Sequence, residues 1–468
     1  MTNTDYKNYL IKLLQETIFS SSFQNQIAQI NAWRLNPNFN RSFDESEIYK
    51  KINTLITISC ILLDEYDTQE SLQSLEICAR TLENISQFKT NNLDNDYIKI
   101  ISAMCYDLAG YQANAYCISQ TIPEYGFNSS IFDINEDNFI IEQFLLILQK
   151  KIVLANQKIL ELSIPKSNNF MLLCEALKKW YSKILKLESS NYVELIDICY
   201  NKYLFSNNVY VANLLKLLKA KILISEKRNI HNLVCESLGE LNSKWKKYIK
   251  LLSNDLYDSN KIKKEDERHS IYELWISQIN AIKKGILNKD ESFIIQMPTS
   301  AGKTFIAELF ILNKLINEPQ KHVIYISPYK ALSSEKENEL GKNIEKLGYS
   351  VSILPGSYEV DFFFQDLFTV ETDLLIATPE KIDLLLRTNK SYFNEVSTII
   401  VDEGHIIGDD ESRGLLLEFL IIRVKVLYPD IKFLFISAVV SEDTAQELST
   451  WLSNSNTNVI TSIFNKKH

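Results

Sequence analysis

Two short stretches put side chains with phosphate and acid–base chemistry at the ends of apolar runs. In FIIQMPTSAGKTFIAELFIL, residues 293–312, a β-branched run gives way to small residues, and Gly302, Lys303 and Thr304 open an amphipathic segment. Thr299, Ser300, Ala301 and Gly302 are small enough to let backbone N–H groups converge on phosphate oxygens, and the start of a helix adds the positive end of its dipole. Lys303 has the reach for terminal phosphates, and the Thr304 hydroxyl can bind magnesium. Met297 stands where the strict G-x-x-x-x-G-K-[ST] pattern has its first glycine, so this loop matches only the second half of that pattern. A second apolar run, IIVDEGH at 399–405, ends in two carboxylates. Asp402 can hold magnesium, usually through water, and Glu403 can orient and deprotonate an attacking water. Adjacent carboxylates after a strand are commonly a solvated turn. Alongside GKT in the same chain, they point to displacement at a metal-bound phosphoryl group.

Past residue 270, short runs (FIIQM, HVIYIS, VSIL, LLIAT, TIIVD and KFLFIS) alternate with longer amphipathic ones. Such runs read as buried parallel strands with helical crossovers. In that architecture the ligand lies beyond the carboxyl ends of the strands, where both stretches fall. Upstream the pattern changes. Residues 1–265 hold only Gly110, Gly126 and Gly239 of the eleven glycines, and YLIKLLQETI, IEQFLLILQKKIVLANQKIL and VYVANLLKLLKAKILI repeat apolar residues at three- and four-residue spacing. The sequence therefore predicts an all-α region over 1–262 and an α/β domain over 263–468. ISAMCYDLAGYQANAYCISQTI reads as a helical hairpin turning at Gly110, and the absence of a second copy at a 34-residue period favours a generic helical domain over a repeat array. The polar segment near 122–138 would divide the helical region into two subdomains, and 253–270 is the better linker candidate.

Taken in order, these motifs resemble those of superfamily-2 helicases of the Ski2-like group, which includes the helicase part of polymerase theta and its archaeal relatives. Gln278 stands where that family reads adenine. MPTSAGKT resembles motif I, YISPYKALSSEK motif Ia, ATPEK motif Ib, VDEGH the D-E-x-H box and ISAVVSEDTAQELSTWL motif III, over about residues 270–455. The resemblance implies a RecA-like first motor domain that binds ATP and Mg2+. Lys303, Asp402, Glu403 and His405 would be catalytic, and Gln278, Thr299, Ser300, Ala301, Gly302, Lys303 and Thr304 would hold the nucleotide. Thr304 and Asp402 would hold magnesium. Pro328, Lys330, Thr378, Pro379, Lys381 and Arg413 would contact nucleic acid, and Ser437 and Ala438 would couple the two sites. Five departures bear on function. Lys330 stands where arginine is common, and one additional residue lies between Asp409 and Arg413. Val439 replaces the threonine that usually ends motif III, and Gly404 replaces an apolar residue, which is expected to loosen local packing. No second motor domain with its arginine-finger box follows Ser437. The chain is therefore expected either to be a fragment of a longer helicase or to be completed by a partner, and to hydrolyse ATP poorly alone.

Global charge excludes little: the net charge is -9, but helicases grip phosphates through local grooves. Seven cysteines without C-x-x-C spacing suit a reducing, cytoplasmic setting, and neither a signal peptide nor an apolar membrane span is present. His231, His269, His322 and His468 lack metal-ligand spacing, and no cysteine follows Cys235 to build an iron–sulfur site. KWKKYIK, residues 244–250, combines cations with aromatics that can stack on single strands, although a solvated helix face with one buried aromatic is the favoured reading. Three functions fit. The first is an ATP-dependent helicase or translocase on single-stranded or partly duplex nucleic acid, with DNA and a 3′-to-5′ direction implied by the resemblance. The second is a nucleic-acid-gated ATP switch, of the Hachiman anti-phage kind, whose helical region restrains a protein partner such as a nuclease. The third is a catalytically silent nucleotide-binding scaffold, against which the intact Lys303, Asp402, Glu403 and His405 weigh.

Overall fold

The computed structural model describes residues 3–36, 44–66, 68–87, 95–122, 136–162, 167–188, 191–206, 208–254, 270–297, 302–328, 330–354, 372–407, 412–438, 442–453 and 458–461. The centres of both proposed linkers, 123–135 and 255–269, lie outside them. The chain forms two compact units whose segments alternate: 1–229 with 252–273, and 230–251 with 274–468.

The first unit is all-α. Its helices are α1 (Asn3–Ile18), α2 (Ser21–Leu35), α3 (Glu45–Glu65), α4 (Gln69–Ser86), α5 (Asn95–Ala109), α6 (Gln112–Gln120), α7 (Glu136–Leu148), α8 (Ile152–Leu160), α9 (Asn168–Lys186), α10 (Val193–Phe205) and α11 (Val209–Arg228). Polar residues start several of them: Ser20, Asp44, Ser167 and Asn208 accept hydrogen bonds from first-turn N–H groups of α2, α3, α9 and α11. The α5–α6 hairpin turns at Gly110, and one continuous core runs from Leu10 through Ile100, Met104, Trp180 and Leu214 to Tyr272. The long apolar period of IEQFLLILQKKIVLANQKIL does not make one helix. It breaks between α7 and α8, where Lys150 takes φ +59. The turn is closed by the Lys151 N–H donating to the Leu146 carbonyl at 2.8 Å, and it directs the Lys150 side chain into a buried charge cluster. The Lys150 ammonium is 2.6 Å from Glu273, and Glu273 also pairs at 2.6 Å with the fully buried Lys221, which in turn holds Asp107 at 2.6 Å. Burial alone would raise the Glu273 carboxyl; Lys150 and Lys221 overcome that and hold it well below its ordinary value.

The second unit is a RecA-like α/β domain around seven strands: β1 (Phe293–Gln296), β2 (His322–Ile326), β3 (Val351–Ile353), β4 (Leu374–Ala377), β5 (Val396–Val401), β6 (Lys432–Ser437) and β7 (Val459–Thr461). Their order is β3-β4-β2-β5-β6-β1-β7, and all neighbours are parallel. The helices are α12 (Ile230–Leu238), α13 (Ser243–Ser253), α14 (Ile276–Lys284), α15 (Lys303–Asn317), α16 (Lys330–Ile344), α17 (Pro379–Thr388), α18 (Ser412–Leu427) and α19 (Glu442–Ser453). Strands β4 and β5 are buried at every position, as a parallel sheet covered on both faces requires. The six runs read from the sequence are all strands. The seventh, β7, is three residues long among Ser and Asn, too short for a periodicity signal, and it pairs with β1.

In α13 the Trp245 and Tyr248 side chains are both buried, so neither offers a stacking face to a nucleic acid. Lys244 lies over the Tyr349 ring at 3.7 Å and Lys247 donates to the Lys346 carbonyl at 2.5 Å. These contacts fasten α13 to the segment between α16 and β3. No helix among the described residues is long and apolar enough to cross a membrane.

Candidate nucleotide site

The parallel sheet brings five strand ends to one edge. β1 leads to the phosphate loop, β2 to Pro328, β4 to Thr378, β5 to Asp402 and β6 to Ala438. Thr299, Ser300 and Ala301 lie outside the described residues; Gly302 caps α15 at φ +79, a conformation that side chains disfavour. A Cβ on Gly302 would also fall 2.3 Å from the Gln278 Nε2. Gln278 therefore lies against Gly302, with its Oε1 accepting from the Trp275 N–H at 2.9 Å.

Lys303 opens α15 with only 6% of its surface exposed, and its Nζ has no hydrogen-bond partner among the described residues. The Glu403 Oε1 lies 3.7 Å away, beyond hydrogen-bond reach. A buried ammonium left without hydrogen bonds is costly, and an anion that supplies oxygens relieves it. The residues thus fit a nucleotide's phosphates. They also fit a divalent cation, with the Thr304 hydroxyl and the Asp402 carboxylate both available as hard oxygen donors. The Thr304 Oγ1 accepts from Lys336 at 2.6 Å.

The carboxylates are held from several sides. The Asp402 N–H donates to the Ile326 carbonyl at 2.9 Å, continuing the β2–β5 ladder. Its Oδ2 accepts from the Tyr325 hydroxyl at 2.7 Å and its Oδ1 from the Glu403 N–H at 3.0 Å. Burial and the adjacent Asp402 carboxylate push the Tyr325 hydroxyl well above its ordinary value, so it remains a donor. Glu403 takes φ +47, a left-handed conformation that costs a non-glycine residue about 1–3 kcal/mol and clusters at functional sites. Its Oε2 lies 3.4 Å from the His405 Nδ1.

Gly404 does not loosen the box as the sequence suggested. The Phe435 ring from β6 occupies the space a side chain would use: a Cβ there would meet the Phe435 Cε1 at 2.0 Å. The smallest residue in the box is matched to a large aromatic on the motif III strand.

The residues expected to contact nucleic acid are spread along the same edge. Pro328 is buried beyond β2, and Lys330 and Arg413 lie on α16 and α18 with side chains outside the description. Thr378 caps α17, Pro379 is its first residue, and the Lys381 Nζ donates to the Leu354 carbonyl. The Ser437 carbonyl accepts from the Met297 N–H at 3.1 Å, tying the end of β6 to the end of β1, while Val439 lies outside the described residues. Reading the sequence missed Tyr325, Lys336 and Phe435. None carries a local signal, because each acts on a residue distant in sequence.

Residues 276–448 match the DEAD/DEAH box helicase family. This stretch is a DEAD/DEAH box helicase domain. Over 186 residues the chain is 37% identical to the ATP-dependent DNA helicase Hel308 of Methanocaldococcus jannaschii, covering 39% of this chain and 15% of that protein. It is 30% identical over 291 residues to the Hachiman protein HamB of Bacillus cereus, covering 54% of this chain and 26% of that protein. The crystal structure of the DUF1998 helicase MrfA covers 41% of this chain and 30% of its own, at 22% identity and a TM-score of 0.34. The chain thus spans roughly a quarter or less of the length of these curated relatives. The helicase domain is similar to those of Hel308 and HamB, and the helical region precedes it.

Proposed function

We propose that this chain is the nucleotide-binding half of an ATP-dependent nucleic-acid motor, acting on DNA in the 3′-to-5′ direction. The observation that carries the reading is the buried Lys303 ammonium, unpaired by hydrogen bonds among the described residues, beside the Tyr325-held Asp402 and the strained Glu403. In this reading Gln278 reads the adenine and Lys303 neutralises the phosphates. Thr304 and Asp402 hold Mg2+, which supplies Lewis-acid polarisation of the phosphoryl oxygens when bound. Glu403 orients and deprotonates the attacking water, and His405, whose ring faces the Glu403 carboxylate, relays its state toward the nucleic-acid side. Pro328, Lys330, Thr378, Pro379, Lys381 and Arg413 are the residues assigned to the strand, and Ser437 and Ala438 couple the two sites. The test is ATP hydrolysis by the full-length protein with and without single-stranded DNA. Strand-stimulated turnover that falls about 100-fold or more in both Lys303→Ala and Glu403→Gln supports a working motor. Turnover no higher than that of the variants would overturn it.

A second reading has its own observation. The likeness to HamB takes in 54% of this chain, more than the stretch from Leu274 to His468 provides, so it reaches into residues upstream of the helicase domain. This favours a nucleic-acid-gated ATP switch in anti-phage defence, with the helical unit holding a protein effector such as a nuclease. Co-purification of a nuclease that is released by ATP and DNA together, and that is lost on deleting the helical unit, is the expected result.

A further inference from the structure

Lys336 lies almost two turns along α16 from Lys330, and its ammonium has two partners. It donates to the Thr304 hydroxyl at 2.6 Å, across 32 residues of sequence, and to the Glu339 Oε2 at 2.8 Å on its own helix. The Lys336 side chain is 14% exposed and that of Glu339 is 47% exposed. A plain surface i,i+3 pair would explain the second contact but not the first, which brings a positive charge onto the hydroxyl that follows the phosphate-loop lysine. That hydroxyl is also the expected magnesium ligand. Magnesium binds oxygen at about 2.0–2.1 Å. A hydroxyl that coordinated it while accepting from Lys336 would hold two cations within roughly 4 Å, where like charges repel strongly in a partly buried site.

We propose that Lys336 and magnesium compete for the Thr304 hydroxyl, and that Glu339 receives the ammonium when the metal takes the oxygen. Metal loading is then registered by α16, the helix that begins at Lys330. The inference rests on the nucleotide-site reading above. It differs from a role for Lys336 as a second phosphate-binding cation, which would have the opposite sign.

The experiment is binding of a fluorescent ATP analogue to the full chain, without nucleic acid, as magnesium is titrated. The proteins compared are wild type, Lys336→Met, Lys336→Arg and Glu339→Gln. Lys336→Met is expected to lower the magnesium concentration for half-saturation by about tenfold, as removal of a nearby like charge predicts. Lys336→Arg is expected to stay near wild type, and Glu339→Gln to need more magnesium because the displaced ammonium loses its second partner. Should Lys336→Met fail to fold, Glu339→Gln carries the test, since an unchanged or lowered requirement in that variant overturns the proposal. An unchanged or raised requirement in a folded Lys336→Met also overturns it while leaving the nucleotide site standing. Magnesium-independent binding in wild type overturns this proposal while leaving the nucleotide site standing, and no binding at any magnesium concentration overturns both.

Discussion

In the helical unit the fully buried Lys221 has a carboxylate oxygen on either side at 2.6 Å, from Asp107 and from Glu273. In the helicase domain the nearly as buried Lys303 has Glu403 at 3.7 Å and no hydrogen-bond partner among the described residues. Both clusters include a charged residue in the left-handed region, Lys150 in the first and Glu403 in the second. In the first, two ammonium groups and two carboxylates lie within ion-pair distance of one another, with the Glu273 Oε1 left without a hydrogen-bond partner among the described residues. In the second, the ammonium is left short of partners. Buried charges that pair closely with one another serve the fold, whereas a buried ammonium beyond hydrogen-bond reach of its nearest carboxylate suits a ligand.

The largest test of that contrast is Lys221→Met. It leaves Asp107 and Glu273 buried with one cation fewer, and should destabilise the helical unit by about 3–5 kcal/mol in denaturant unfolding followed by circular dichroism. Acid probes the same network. Because the folded Glu273 carboxyl lies below its unfolded value, its contribution is fully present above about pH 4.5 and fades as pH falls toward the folded value. Unfolding midpoints measured down this range should decline less steeply in Glu273→Gln than in wild type.

Gly404→Ala comes next. Forcing a methyl group into the Phe435 ring should cost about 1–3 kcal/mol and reduce ATP turnover by displacing Glu403, and adding Phe435→Leu should recover part of both. A single variant as active as wild type would show that the box tolerates a side chain. Tyr325→Phe removes one donor from Asp402 and should cost about 1.5 kcal/mol, with weaker magnesium binding as the readout. The smallest change in stability is expected for Lys303→Met, whose melting temperature should equal or slightly exceed that of wild type although nucleotide binding is lost. A loss of stability as large as that of Lys221→Met would erase the distinction between the two clusters.

The sequence made the strands and the two motifs legible because their signals are local. A β-branched run followed by small residues, or by two carboxylates, states both the element and its chemistry within a few positions. The same reading could not see that Tyr325 holds Asp402, that Lys336 holds Thr304 or that Phe435 fills the place beside Gly404. Those contacts span β2 to β5, α16 to α15 and β6 to the box, and depend on strand order and register. The break at Lys150 was hidden for a related reason. Its local pattern is helical throughout, and the side chain that the turn redirects meets Glu273, 123 residues away.

The alternation of segments between the two units has a bearing on synthesis. The chain completes α11 in the helical unit, lays down 230–251 for the helicase domain, then returns with 252–273 before committing to the sheet. During emergence from the ribosome, Glu273 is among the last pieces the helical unit receives, so Lys221 and Asp107 wait without it while α12 and α13 are already exposed and have no sheet to join. A cut at any one point between the units leaves one of them missing a piece, so separating them cleanly takes two cuts and a splice.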